Sequence, residues 1–167
     1  PLYSSAASDV YKRQGPGCPV NVSAITMSPH VGAHADAPLH YDAQGATIGD
    51  VSLDAFLGPC RVIHAIDCGP LIAWEHIAHA VNSPLPQRVL VRTYEHMPVD
   101  RWDGQLAAYA PGTIERLADL GVLLVGIDTA SIDPADSKTL DSHQVIRRRG
   151  LRAVSYTHLT LPTNREV

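Results

Sequence analysis

Apolar and polar positions along the chain alternate in short blocks that predict strands and helices in turn. Residues 21–28 ("NVSAITMS") place apolar and polar side chains alternately, with Val22, Ala24 and Thr26 on one side, as a half-buried strand does. Residues 60–67 ("CRVIHAID") and 88–95 ("RVLVRTYE") are β-branched and apolar, and both predict strands. Residues 122–128 ("VLLVGID") form a nearly continuous apolar run, the pattern of a strand buried on both faces. Between these blocks, helical spacing appears at residues 50–58, where Gly58 is the stop, and at residues 73–81. It recurs at residues 113–121, with Thr113 near the start, Glu115 in the first turn and Gly121 as the stop. Residues 141–149 ("DSHQVIRRR") predict a further helix with Asp141 or Ser142 at its N-terminus, and the Gly- and Pro-punctuated residues 15–22 predict a loop. Strands alternating with short helices predict an α/β domain with a mixed or parallel sheet.

The two ends read differently from the middle. "DVYKRQ" (residues 9–14) can be encoded by GATGTGTATAAGAGACAG, and the reverse complement of that DNA, in another frame, reads V-S-Y-T-H, as in "VSYTHL" (residues 154–159). This DNA resembles the transposase end sequence used in preparing sequencing libraries. Residues 1–14 and 154–167 are therefore expected to be non-native, adapter-like tails. Residues 15–153 are expected to be a partial domain, incomplete at both ends.

Composition narrows the function classes. The chain is 45% hydrophobic and 18% charged, as soluble globular proteins are. Its formal charge is −4; Lys12, Arg13 and Arg165 against Asp9 and Glu166 leave +1 on the tails and −5 between them. An acidic surface argues against nucleic acid or an anionic membrane as partner. The basic run Arg147, Arg148 and Arg149 reads as a solvated helix face. No stretch approaches the roughly 18 apolar residues of a membrane span. Cys18, Cys60 and Cys68 lack zinc-ribbon spacing and are read as free thiols, so a cytoplasmic location is expected.

The stretch "HVGAHADAPLHY" (residues 30–41) carries the chemistry. A divalent transition metal takes three or four donors, and imidazole with carboxylate suits zinc, manganese or iron. Gly32 and Pro38 disfavour a helix here, but a loop leaving a strand can bring His30, His34 and Asp36 to one point. Gly32, Ala33, Ala35 and Ala37 let the backbone bend tightly around it. For any single histidine an exposed polar loop is the stronger reading. For H-x-x-x-H-x-D followed by His40, metal binding is.

These residues resemble the H-x-G-T-H-x-D-A-P-x-H-F signature of the cyclase family of metal-dependent hydrolases. "GIDTASIDPADSKTLDSHQVI" (residues 126–146) resembles a second signature, that of the bacterial kynurenine formamidase branch. The resemblance implies a swivelling β/β/α, cyclase-like domain with a mixed sheet, assembled as a homodimer. Carried over by position, it implies His30, His34, Asp36 and His143 as metal ligands and His40 as catalytic acid and base. The family's remaining ligand, a glutamate, falls by count on Ser155, inside the expected tail. Ala33 stands where threonine is usual, and Gln144 where many relatives have histidine. Substrate-binding residues are not assigned.

The implied activity is hydrolysis of the small molecule N-formylkynurenine to kynurenine and formate. Two zinc ions per subunit, or one in a weaker site, with manganese as the alternative, would lower the pKa of a water toward about 7 and polarise the formyl carbonyl. His40 would pass the proton to the departing aniline nitrogen. Absence of a G-x-S-x-G elbow argues against a serine-hydrolase route. The rival readings are a relative that opens a cyclic amide or lactone, as isatin hydrolase does, and a non-catalytic metal-binding relative. With Ser155 in place of the glutamate, weak metal binding and little turnover are expected of this chain. His64 is expected in the core, His76 and His79 on a helix surface, and His96 without a role; Asp128 and Asp133 flank a strand end and a loop, a usual place for site residues, and turn or capping roles explain them equally well.

Overall fold

The computed structural model describes residues 9–13, 22–98 and 101–157. The predicted loop at 15–22, Cys18 and most of both expected tails lie outside these residues. In chain order the elements begin with strands β1 (Asp9–Arg13), β2 (Val22–Thr26) and β3 (His34–Ala35). Three single 3-10 turns follow at Pro38–His40, Ile48–Asp50 and Leu53–Ala55. Next come β4 (Cys60–His64), β5 (Leu71–Ile72), α1 (Trp74–Ile77), β6 (Arg88–Arg92) and β7 (Ala108–Tyr109). The chain continues through α2 (Pro111–Asp119), β8 (Leu124–Ile127), α3 (Asp141–Arg149) and β9 (Arg152–Ser155).

The main sheet has five strands in the order β3-β9-β8-β6-β4. β4, β6, β8 and β9 run parallel, while β3 pairs antiparallel with β9, so the sheet is mixed as the sequence predicts. β5 and β7 form a small parallel pair, and β1 and β2 an antiparallel one. All four residues of β8 are buried, which explains its unbroken apolar run at the centre of the sheet. The core lies where Val89, Val91, Val125, Ile127 and Ala153 of the sheet meet Ile77, Ile114, Leu117, Val145 and Ile146 of the helices. At the sheet's centre a Cβ on Gly126 would overlap Leu90 Cδ2 and Val154 Cγ2. Gly126→Ala should therefore cost about 1–3 kcal/mol through overpacking. Chemical denaturation would register this as a lower midpoint at unchanged slope.

Several local expectations are corrected. Residues 50–58 form no α-helix: Ser52 Oγ accepts from the Asp54 amide at 3.2 Å and closes a single 3-10 turn. The helix expected at 73–81 is α1 followed by a 3-10 turn, Ala78–Ala80. α2 starts with Pro111 in its first turn rather than at Thr113, whose hydroxyl donates to the Ile72 carbonyl at 2.9 Å. His64 is exposed, because β4 is the sheet's edge strand. β9 continues through Val154 and Ser155, which pair with Ala35 and His34 of β3.

Candidate metal centre

The chain is bent into the site by local features that its composition supports. Gly32 adopts φ +66°, a left-handed conformation that glycine takes without strain, and its carbonyl accepts from His34 Nδ1 at 2.7 Å. That bond leaves His34 Nε2 as the nitrogen free to face inward. β3 then aligns on β9, and the Asp36 amide extends the pairing by donating to the Ala153 carbonyl at 3.1 Å. Pro38 opens the 3-10 turn that carries His40 back over the bend. His143 comes from the first turn of α3, after Leu140 in a left-handed conformation.

The sequence's five candidate residues meet here. Asp36, 3% exposed, lies at the centre: its Oδ1 is 3.2 Å from His30 Nδ1 and 3.4 Å from His34 Nε2, and its Oδ2 is 3.5 Å from His143 Nε2. His30 Nδ1 and His34 Nε2 are 3.1 Å apart. His30, Asp36 and His40 each offer a ligand atom, all within 4.8 Å of one another. The His40 ring stands 4.1 Å from that of His30 and 5.6 Å from that of His143. His40 and His30 are the more open members, whereas His143 is 3% exposed.

This donor set fits a divalent cation. Asp36 Oδ1 and His143 Nε2 are buried without a hydrogen-bond partner, although nitrogens and oxygens crowd around them. Buried polar atoms rarely stay unpaired, and a cation satisfies a carboxylate and several imidazole lone pairs together. Electrostatics point the same way. Burial opposes ionisation of Asp36, yet His143 and His34 hold its carboxyl well below the usual carboxylate range. Burial lowers the pKa of His30, against the pull of Asp36. Burial and then the neighbouring His30 lower that of His40. His143 moves the other way: burial works against its charged form, but Asp133 and Asp36 prevail and raise it to about 9.

In the cation-free protein, the stabilisation from that imidazolium is complete below 6.5 and lost as pH rises through about 9. A cation must displace the same proton. Zinc affinity should thus rise with pH across neutrality, by up to about tenfold per unit from His143 alone. Titration calorimetry at pH 6, 7 and 8 checks this, and a flat profile contradicts it.

Four other histidines stay outside the donor group. His76 Nδ1 accepts from the Ala73 amide at 3.0 Å and caps α1; His64, His79 and His96 are exposed. Asp128 is a brace, accepting from the Thr93 amide and hydroxyl and the Tyr94 amide, and so joins the ends of β6 and β8. Two side chains next to the site, Tyr41 and Tyr156, carried no site signal in the sequence. Tyr41 packs its ring 5.4 Å from that of His143. Tyr156 lies 6.5 Å, ring to ring, from His34 and also lines a cavity with Tyr94, Met97, Pro98 and Leu106. Asp133, which the sequence leaves open between a site residue and a turn or cap, has its Oδ2 2.5 Å from His143 Nδ1.

Comparison with known proteins agrees with this geometry. The chain is 82% identical over 143 residues to the kynurenine formamidase of Paracidovorax citrulli, covering 84% of this chain and 66% of that protein. It thus spans just under two thirds of that relative's length. A solved structure described as a potential metal-dependent hydrolase with cyclase activity superposes with a TM-score of 0.75 at 25% identity, over 94% of this chain and 74% of that one. Isatin hydrolase A from Labrenzia aggregata shares the fold at 19% identity, with a TM-score of 0.72 over 95% of this chain and 74% of its own. The Cyclase family model matches residues 2–134, most of the sequence, and the chain belongs to the cyclase family.

Proposed function

We propose that the chain is the larger part of a metal-dependent hydrolase that cleaves N-formylkynurenine to kynurenine and formate. The observation that carries this reading is the unpaired, buried pair Asp36 Oδ1 and His143 Nε2 at the focus of a histidine cluster. The 82% identity to a kynurenine formamidase supports the choice of substrate. His30, His34, Asp36 and His143 would hold the cation, with zinc proposed as the metal and one or two ions per subunit. When bound, such a cation supplies Lewis acidity, lowering the pKa of water toward about 7 and polarising a carbonyl.

The chain's own residues do the rest. Burial and the nearby His30 keep the His40 imidazole a neutral base near pH 7. His40 takes a proton from the attacking water as the C–O bond forms, then gives it to the aniline nitrogen as the C–N bond breaks. Asp36 holds the imidazoles together and would offer its carboxylate oxygens to the cation.

The proposal keeps residues 15–153 as the hydrolase domain between two adapter-like tails, and a homodimer as the assembly. Exposed Leu39, Ile48, Leu53 and Leu57 would give a second copy an apolar surface. A cytoplasmic location is proposed; among the described residues no helix is long and apolar enough to cross a membrane. A second reading, opening of a cyclic amide, draws support from the fold shared with isatin hydrolase A. The experiment is formate release by the zinc-loaded chain from N-formylkynurenine beside ring opening of isatin. Zinc-dependent formate release that His40→Ala removes is expected; faster opening of isatin, or no zinc dependence, contradicts the proposal.

A further inference from the structure

We infer that Asp133 is a positioning residue, which fixes the His143 ring and keeps a proton on Nδ1 so that Nε2 alone is offered to a cation. The inference rests on the reading of the cluster as a cation site. Asp133 is 2% exposed and accepts three donors with its two oxygens. Oδ1 takes the Ser142 amide at 2.8 Å, and Oδ2 takes the His143 amide at 3.0 Å and the His143 Nδ1–H at 2.5 Å. One carboxylate therefore ties the backbone and the side chain of His143 to the same anchor. With its backbone amide and its Nδ1 on the same carboxylate, the ring is held in one orientation, and its remaining nitrogen lies 3.5 Å from Asp36 Oδ2. The ring's other nitrogen has no hydrogen-bond partner, as a nitrogen reserved for a metal would have. A carboxylate behind a ligating imidazole orients the ring, sets its tautomer and raises its basicity.

The same contacts also cap α3, so capping alone is the competing explanation. Asparagine caps helices about as well as aspartate but cannot accept at every one of these positions. Asp133→Asn keeps the side chain's volume but turns its NH2 toward one of these buried donors, so it should lower the thermal midpoint of the cation-free chain without unfolding it. It should weaken zinc binding, titrated with zinc alone, by about 10–100-fold. A second measurement needs no variant. Proton NMR of the unaltered chain with and without zinc should show a far-downfield His143 Nδ1–H line in both states. Zinc affinity within twofold of the unaltered chain in Asp133→Asn, or loss of the Nδ1 proton on zinc loading, would overturn the inference and leave the cation site standing. Failure of the unaltered chain to take up zinc would overturn the site reading and this inference with it.

Discussion

Asp36→Asn is expected to abolish cation binding while leaving the fold in place. The side chain keeps its volume, and the backbone bond from residue 36 to the Ala153 carbonyl does not involve the carboxylate. What disappears is the one negative charge that His30, His34 and His143 share within 3.5 Å. Losing a residue behind a ligand typically costs 10–100-fold in metal affinity, so losing the central ligand should cost more than about 100-fold. Hydrolysis should fall with it. The imidazoles respond as well: His143 loses one of its two carboxylate neighbours, so its pKa falls from about 9 toward its ordinary value. Zinc titration and thermal denaturation of the same sample separate the effects. Undiminished zinc affinity would remove Asp36 from the site, and an unfolded variant would make the carboxylate structural.

Ser155→Glu should act in opposite directions with and without the cation. Ser155 is the register partner of His34 across the β3–β9 pair and is 1% exposed. Directly paired residues on antiparallel strands put their side chains on the same face, so position 155 looks toward the cluster. It is also where the family resemblance places a glutamate ligand. Without metal, a second buried carboxylate near Asp36 brings like charge into a confined space and should lower the melting temperature. With zinc present the added ligand should tighten binding by at least about tenfold and raise the melting temperature by mass action. The crossing of the two effects is the signature. A variant equally destabilised in both states would place residue 155 outside the coordination sphere.

Much of this was legible in the sequence, for identifiable reasons. β8 was visible because a strand buried on both faces has no polar positions to alternate, and α3 because Asp141 or Ser142 marks its N-terminus. The donor set was visible because four of its five members fall within residues 30–40, around a glycine and a proline that force a bend. His143 was reached only through the family resemblance, since its approach to Asp36 depends on α3 folding back over β9, which no local pattern encodes. β3, β5 and β7 went unread because two-residue strands exist through their partners and leave no period to detect. His64 was misplaced for a related reason: an apolar strand was recognised, but its edge position comes from sheet order, which is tertiary. Asp133 stayed ambiguous because a helix cap and a ligand's anchor use the same residue type at the same place.

The most direct test is a zinc-soaked crystal of the chain examined by anomalous scattering at the zinc edge. The site described here predicts a peak about 2.0–2.2 Å from an Asp36 oxygen and from the imidazole nitrogens of His30 and His34, which all lie within 3.4 Å of one another. A map with no peak among those side chains, or with zinc bound only elsewhere, would contradict it.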